Sequence, residues 1–210
     1  MGHPAFDNSD FLRAALALAA ERGPAAVTIA AISANLKAPT GSFYHRFASR
    51  DALLAELWLN TVLAFQQGIE VALNAGDGLR AALHTPNWVR AHLDEGRLLL
   101  LYRRADFVQG EWPQALRDRL AEHVRRSEER QRKFALDTFG NAGPDEIRRA
   151  QFVLAEVPVA AVRQYLQRRE PPPPIVDDLI RVTYRAIVGE CRSIGRASSP
   201  ALGIGHGTGA

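Results

Sequence analysis

The chain has 210 residues, 47% of them hydrophobic and 23% charged, with a formal net charge of +3. That length buries a core without cross-links, and a single cysteine, Cys191, excludes both an intramolecular disulfide and a thiolate zinc site. The isoelectric point near 9.4 permits nucleic-acid binding without requiring it, so a basic patch has to be sought locally.

The opening Met1-Gly2-His3-Pro4 has neither a charged n-region nor an apolar h-region, so no secretory signal is expected. The longest apolar runs, such as Leu98 to Leu101, are too short to span a bilayer, and a cytoplasmic protein without a membrane partner is expected. Helical periodicity recurs almost throughout and no run alternates in the manner of a hairpin, so the fold class is all-α.

A first helix is predicted from Asp10 to Arg22, capped by Ser9 or Asp10 and ended by Gly23-Pro24. A short second helix follows the cap Thr28, with Ile29, Ile32 and Leu36 inward. After a tight break at Lys37-Ala38 a third short helix opens at Pro39, whose missing N–H is harmless in a first turn. A long helix then runs from Asp51 to about Asn74. Two shorter helices are predicted between Leu79 and Val108, interrupted near Thr85-Pro86 and near Gly96. Trp112-Pro113 opens a charged helix to about Phe139, and another covers Asp145 to Arg169 with a kink at Pro158. Pro171 to Pro174 form a stiff connector, and a last helix spans Ile175 to Ile194. The Gly-, Ala- and Ser-rich tail is expected to be disordered.

Two short helices joined by a tight turn between Thr28 and Arg50 make a helix-turn-helix, whose second helix is suited to the major groove. At about 100° per residue, Phe43 and Phe47 mark its buried side. Gly41 and His45 then point away, flanked by Ser42 and Tyr44. Lys37, Arg46 and Arg50 add positive charge, with no acidic residue between Ala34 and Arg50. A glycine inside a helix costs about 1 kcal/mol relative to alanine, so Gly41 suggests either close backbone approach to a ligand surface or drift at a tolerant site.

Over Thr28, Ile32, Gly41-Ser42-Phe43-Tyr44, Phe47, Ser49-Arg50 and Leu53 the sequence resembles the TetR family of regulators. It departs at the turn, where Lys37 and Ala38 replace the usual glycine and valine, which implies a slightly different turn geometry. Pro39 stands for the common serine and Arg50 for a lysine. The resemblance implies an N-terminal three-helix head, residues 1–50, for DNA. It implies a larger helical domain for ligand binding and dimerisation, residues 51–195, before a tail, 196–210.

By that resemblance Thr28 is a phosphate contact or N-cap, and Pro39, Thr40 and Gly41 lie where the recognition helix meets base edges. Ser42 and Tyr44 match phosphate-contacting positions, with His45 between base edge and backbone and Lys37 in the basic patch. Arg50 matches a phosphate-binding lysine. The partners implied are double-stranded operator DNA, a small-molecule effector and a second copy of the chain.

By the same resemblance the last two long helices would pair with their copies in a homodimer, and their two apolar stripes allow either that or core packing within one subunit. Val153, Val157 and Ala161 belong to one, and Leu179, Val182 and Ala186 to the other. An effector pocket among the middle helices is sought at Trp58, Phe65, Trp88, His92, Tyr102, Phe107, Trp112, His123 and Phe152.

An enzyme reading finds no phosphate loop, nucleophile elbow or zinc-protease motif to rest on, and no metal or cofactor is expected. A helical adaptor that binds protein through its basic head is the other alternative. Steep salt dependence of duplex binding separates the two.

Overall fold

The computed structural model describes residues 6–107 and 112–197, the last eight of these by backbone alone. Ten α-helices are seen among them, and no strand. They are α1 (Asn8–Arg22), α2 (Ile29–Leu36), α3 (Thr40–Tyr44), α4 (Arg50–Asn74), α5 (Gly78–Ala91), α6 (Leu93–Leu101), α7 (Gln114–Phe139), α8 (Pro144–Gln151), α9 (Val157–Arg168) and α10 (Ile175–Ala197). The all-α expectation holds. Most of the tail expected to be disordered lies outside the described residues. None of the described helices is long and apolar enough to cross a membrane.

The cap of α1 is Asp7 rather than Ser9 or Asp10. Asp10 sits one turn in, accepts from the Asp7 N–H at 2.9 Å, and donates its own N–H to the Asp7 carboxylate at 3.0 Å. Phe6 and Phe11 close the same end with ring centroids 6.4 Å apart, so a capping box and a hydrophobic staple together fix where the helix begins. Thr28 caps α2 as predicted, its Oγ1 accepting from the Ala31 N–H at 3.0 Å.

The breaks predicted at Thr85-Pro86 and Gly96 do not occur. Pro86 lies inside α5, buried with Thr85, and packing of α5 against α4, α9 and α10 carries the helix past the missing bond. Gly96 lies inside α6, where a β-carbon would come within 3.2 Å of both Val89 and Leu166, so it serves close packing. The chain turns instead at His92, whose φ of −137° and ψ of 63° leave the helical region. Pro158 does disturb its helix. It has no N–H to continue the α-helical pattern, and a π-helical turn at Phe152–Glu156 absorbs the defect between α8 and α9.

Two cores form. The first gathers Phe11, Ile32, Phe43, Phe47, Leu53 and Leu57 with Leu98, Phe107, Trp112 and Leu116, so packing crosses residue 50 without interruption. The second gathers Phe65, Trp88, Val89, Phe134, Val153, Leu154, Val162 and Ile180. Its membership corrects the first apolar stripe. Val153 is only 1% exposed and packs within its own subunit, because Ala150, Val153, Leu154, Pro158 and Val162 continue one inward face. Val157 and Ala161 are half-buried, whereas Phe152 and Ala155 lie outside. The α10 stripe is different: Ile175, Leu179, Val182 and Ala186 are all exposed, Val182 at 68%.

His84 of α5 lies half-buried against α4, with Nε2 2.8 Å from the Phe65 carbonyl oxygen. Burial holds its imidazole below the ordinary pKa of 6.5, and does the same for His123. The unfolded chain therefore takes up these protons first, so stability is unaffected above about pH 6.5 and falls as pH drops below it. The urea midpoint should decline from about pH 7 to about pH 5, and less steeply in His84→Gln/His123→Gln. Equal slopes in the two proteins would place the acid sensitivity elsewhere.

Candidate nucleic-acid interface

The head is set by three phenyl rings. Phe43 of α3 meets Phe11 at 5.8 Å between centroids and Phe47 at 5.7 Å, and Phe11 meets Phe47 at 6.2 Å. All three are buried. With that side of α3 fixed, the opposite side has one orientation. Thr28, Lys37, Pro39, Thr40, Gly41, Tyr44, His45 and Arg46 are exposed and Ser42 is half-buried. Tyr44 stands 60% exposed, its ring edge-on to Phe43.

Lys37 ends α2 with φ 53° and ψ 35°, in the left-handed conformation that favours glycine. A lysine therefore occupies a glycine-type conformation at this turn. The exchange holds a positive charge at the turn at a cost of about 1–2 kcal/mol in backbone strain. Gly41 has no internal packing reason, since a β-carbon there would meet nothing within 4 Å. Thr28 uses its hydroxyl oxygen to cap α2, which leaves the hydroxyl proton to donate outward.

Arg50 departs from the expectation of a phosphate anchor. Its Nε donates to the Val27 carbonyl, its Nη2 to the Pro24 carbonyl at 2.7 Å, and its Nη1 to Asp51 at 2.9 Å. The guanidinium is thus committed to the loop between α1 and α2, which it ties to the start of α4. The Pro24 carbonyl also closes the single tight turn of Pro24 to Ala26, accepting from the Val27 N–H at 3.2 Å, so Arg50 uses its second lone pair. Arg46 remains outside, with its guanidinium carbon 6.0 Å from the Phe11 ring centre.

The nine candidate pocket residues do not surround one cavity. Trp58 packs edge-on against Trp112 at 5.6 Å, and Tyr102 against Phe107 at 6.3 Å. Phe65, Trp88 and His92 form a separate stack, with centroids 5.0 and 5.1 Å apart. Phe152 is on the surface.

Open clefts lie beside these groups. One of about 660 Å³ has Trp112, Leu120 and Val124 below Arg104 and Arg125. A polar one of about 630 Å³ between α4 and α7 holds His123 beside Glu70 and Arg130, themselves paired at 3.0 Å. A third, about 540 Å³, lies where α1 meets the body, among Leu12, Leu16, Leu57, Thr61, Trp88 and His92. Among the described residues no group of His, Cys, Asp and Glu is placed to hold a metal ion.

If Arg50 is a brace, Arg50→Met should lower stability by about 1.5–3 kcal/mol, the usual worth of hydrogen bonds to a charged group. The salt dependence of duplex binding should not change. A salt slope smaller by about one unit per head would return Arg50 to a phosphate.

Residues 11–57 match the family described as bacterial regulatory proteins, tetR family. A crystal structure described as a tetR family transcription regulator, from Shewanella sp. PV-4, is 19% identical with a TM-score of 0.59. The match covers 89% of this chain and 94% of that one. No curated protein matches the chain significantly. Residues 11–57 are therefore similar to the tetR family of bacterial regulatory proteins, and the chain shares its overall fold with the Shewanella protein's structure.

Proposed function

We propose that the chain is a homodimeric DNA-binding transcriptional regulator, a repressor released from its operator by a small lipophilic effector. The observation that carries the reading is the outward face of the helix-turn-helix. It presents Lys37, Thr40, Gly41, Tyr44, His45 and Arg46 on a rigid aromatic base, with no carboxylate from Ala34 to Arg50. An idle solvated helix carries mixed charge, whereas this face has hydroxyls, an imidazole, cations and bare backbone. Base edges are read by Pro39, Thr40, Gly41 and His45, and phosphates are met by Thr28, Lys37, Ser42, Tyr44 and Arg46.

Dimerisation rests on the exposed stripe of α10. Ile175, Leu179, Val182 and Ala186 recur at the alternating spacing of a helix–helix seam, and water is a poor partner for such a row. Pairing of two copies there, with Phe152 and Ala155 adjoining, supplies the two heads that an operator of two half-sites requires. The effector is drawn to the clefts with apolar floors. In the one among α1, α4 and α5, a ligand touches head and body at once and shifts their relative position only if it prefers one arrangement.

Duplexes selected from a random pool should share a repeated half-site. His45→Ala should relax preference at one or two base pairs, at about 1–3 kcal/mol for the preferred sequence. Gly41→Leu should abolish binding with helicity intact by circular dichroism, because the side chain would hold α3 off the groove. Normal duplex binding by Gly41→Leu would remove this face from the DNA interface. Independently, Val182→Lys should give a folded monomer by light scattering, and a dimer that persisted would place the seam elsewhere.

A further inference from the structure

Among the described residues Arg97 is the only buried charged side chain, 7% exposed, and no carboxylate pairs with it. A buried cation without a counter-charge is costly, so what compensates it is informative. Its Nε donates to the Ala20 carbonyl at 2.9 Å and its Nη1 to the Leu166 carbonyl. Both acceptors lie in the last turns of their helices, α1 and α9, where the peptide dipoles leave negative charge, and the Leu166 carbonyl also accepts from the Arg169 N–H at 3.2 Å. One guanidinium on α6 therefore joins the end of a head helix to the end of a body helix.

A second arginine repeats the connection. Arg169 follows α9 with φ 60°, at a position where glycine is the usual residue. Its guanidinium donates to the Glu21 carbonyl, the next one along α1. Adjacent carbonyls of α1 are thus each held from the body.

We propose that Arg97 is a positioning residue for operator reading, fixing α1 against α9 and so setting the distance between the two recognition helices of a dimer. This rests on the dimeric DNA-binding reading above. The planar fork of a guanidinium holds two carbonyls in a defined relation, whereas the point charge of a lysine does not. A merely structural Arg97 would lower stability and leave spacing preference alone.

The test uses the full-length protein and duplexes carrying two copies of the selected half-site, with spacing varied one base pair at a time. Wild type should discriminate the best spacing from its neighbours by at least about tenfold, near 1.4 kcal/mol. Arg97→Met keeps bulk and removes the charge. It should remain dimeric and keep the half-site base preference, while spacing discrimination falls to about threefold or less. Arg97→Lys should not restore it.

Arg169→Gly relieves the backbone strain and removes the second tie, and it should reduce discrimination part of the way. It decides the matter if Arg97→Met does not fold. Wild-type discrimination in a folded Arg97→Met, or in Arg169→Gly should that variant have to decide, overturns the proposal. So does an equal loss of affinity at every spacing. If the wild type selects no half-site at all, the DNA-binding reading fails and the proposal with it. Selection of half-sites with unchanged spacing preference in the variants sinks the proposal alone.

Discussion

A helix as short as α3 does not persist in water, because nucleating it fixes several residues for very few hydrogen bonds. It exists here because Phe43 is held between Phe11 and Phe47, and every property of the outer face follows from that contact. Phe11 comes from α1, and Phe47 lies just before α4, so α3 is oriented from α1 on one side and from the approach to α4 on the other. Phe11 is itself fixed by the staple to Phe6 at the start of α1. The same core continues through Leu98, Phe107, Trp112 and Leu116, so the body supports the orientation of α3 as well.

Much of this was legible in the sequence. Thr28 as a cap, the inward pair Phe43 and Phe47, and the outward set around Gly41 follow from local chemistry and helical geometry, which act over one or two turns. Arg50 shows where such reasoning stops. A sequence reveals a cation at a position, but not whether its donors are consumed by carbonyls 23 and 26 residues away. Arg97 is the stronger case, since its acceptors are 77 and 69 residues distant and nothing in Gly96-Arg97-Leu98 marks it as buried. Val153 was misplaced for a related reason: a stripe in a helix says which residues are inward, not whether the neighbour is the same subunit or another.

The aromatic candidates illustrate a further limit. Large rings from several helices suggest an apolar cavity, yet rings also satisfy one another through edge-to-face contacts at 4.5–7 Å. Trp58 with Trp112, Tyr102 with Phe107, and Phe65 with Trp88 do this, which fills the space between helices. Volume open to a ligand is left at the margins of these stacks, where aliphatic and polar side chains meet the rings. A list of aromatics selects for packing before it selects for binding.

The distribution of cations bears on how the head would hold DNA. In the head Arg13 faces Asp10 at 3.4 Å, Arg22 faces Glu21 at 3.5 Å, and Arg50 is taken up by Asp51 and two carbonyls. On α7, Arg125 and Arg126 are matched by Glu122 and Glu129. Among the described residues of the head, Lys37 and Arg46 are the cations with no carboxylate partner, and both are exposed beside α3. Each phosphate neutralised contributes a salt slope of about −0.9, so two cations per head give a shallow electrostatic component. The remaining hold on the backbone then falls to hydroxyls and main-chain N–H groups, which need close approach to act. That requirement gives a physical role to the open space around Gly41: with few charges to draw the duplex in from a distance, the helix has to come near enough for short contacts to count.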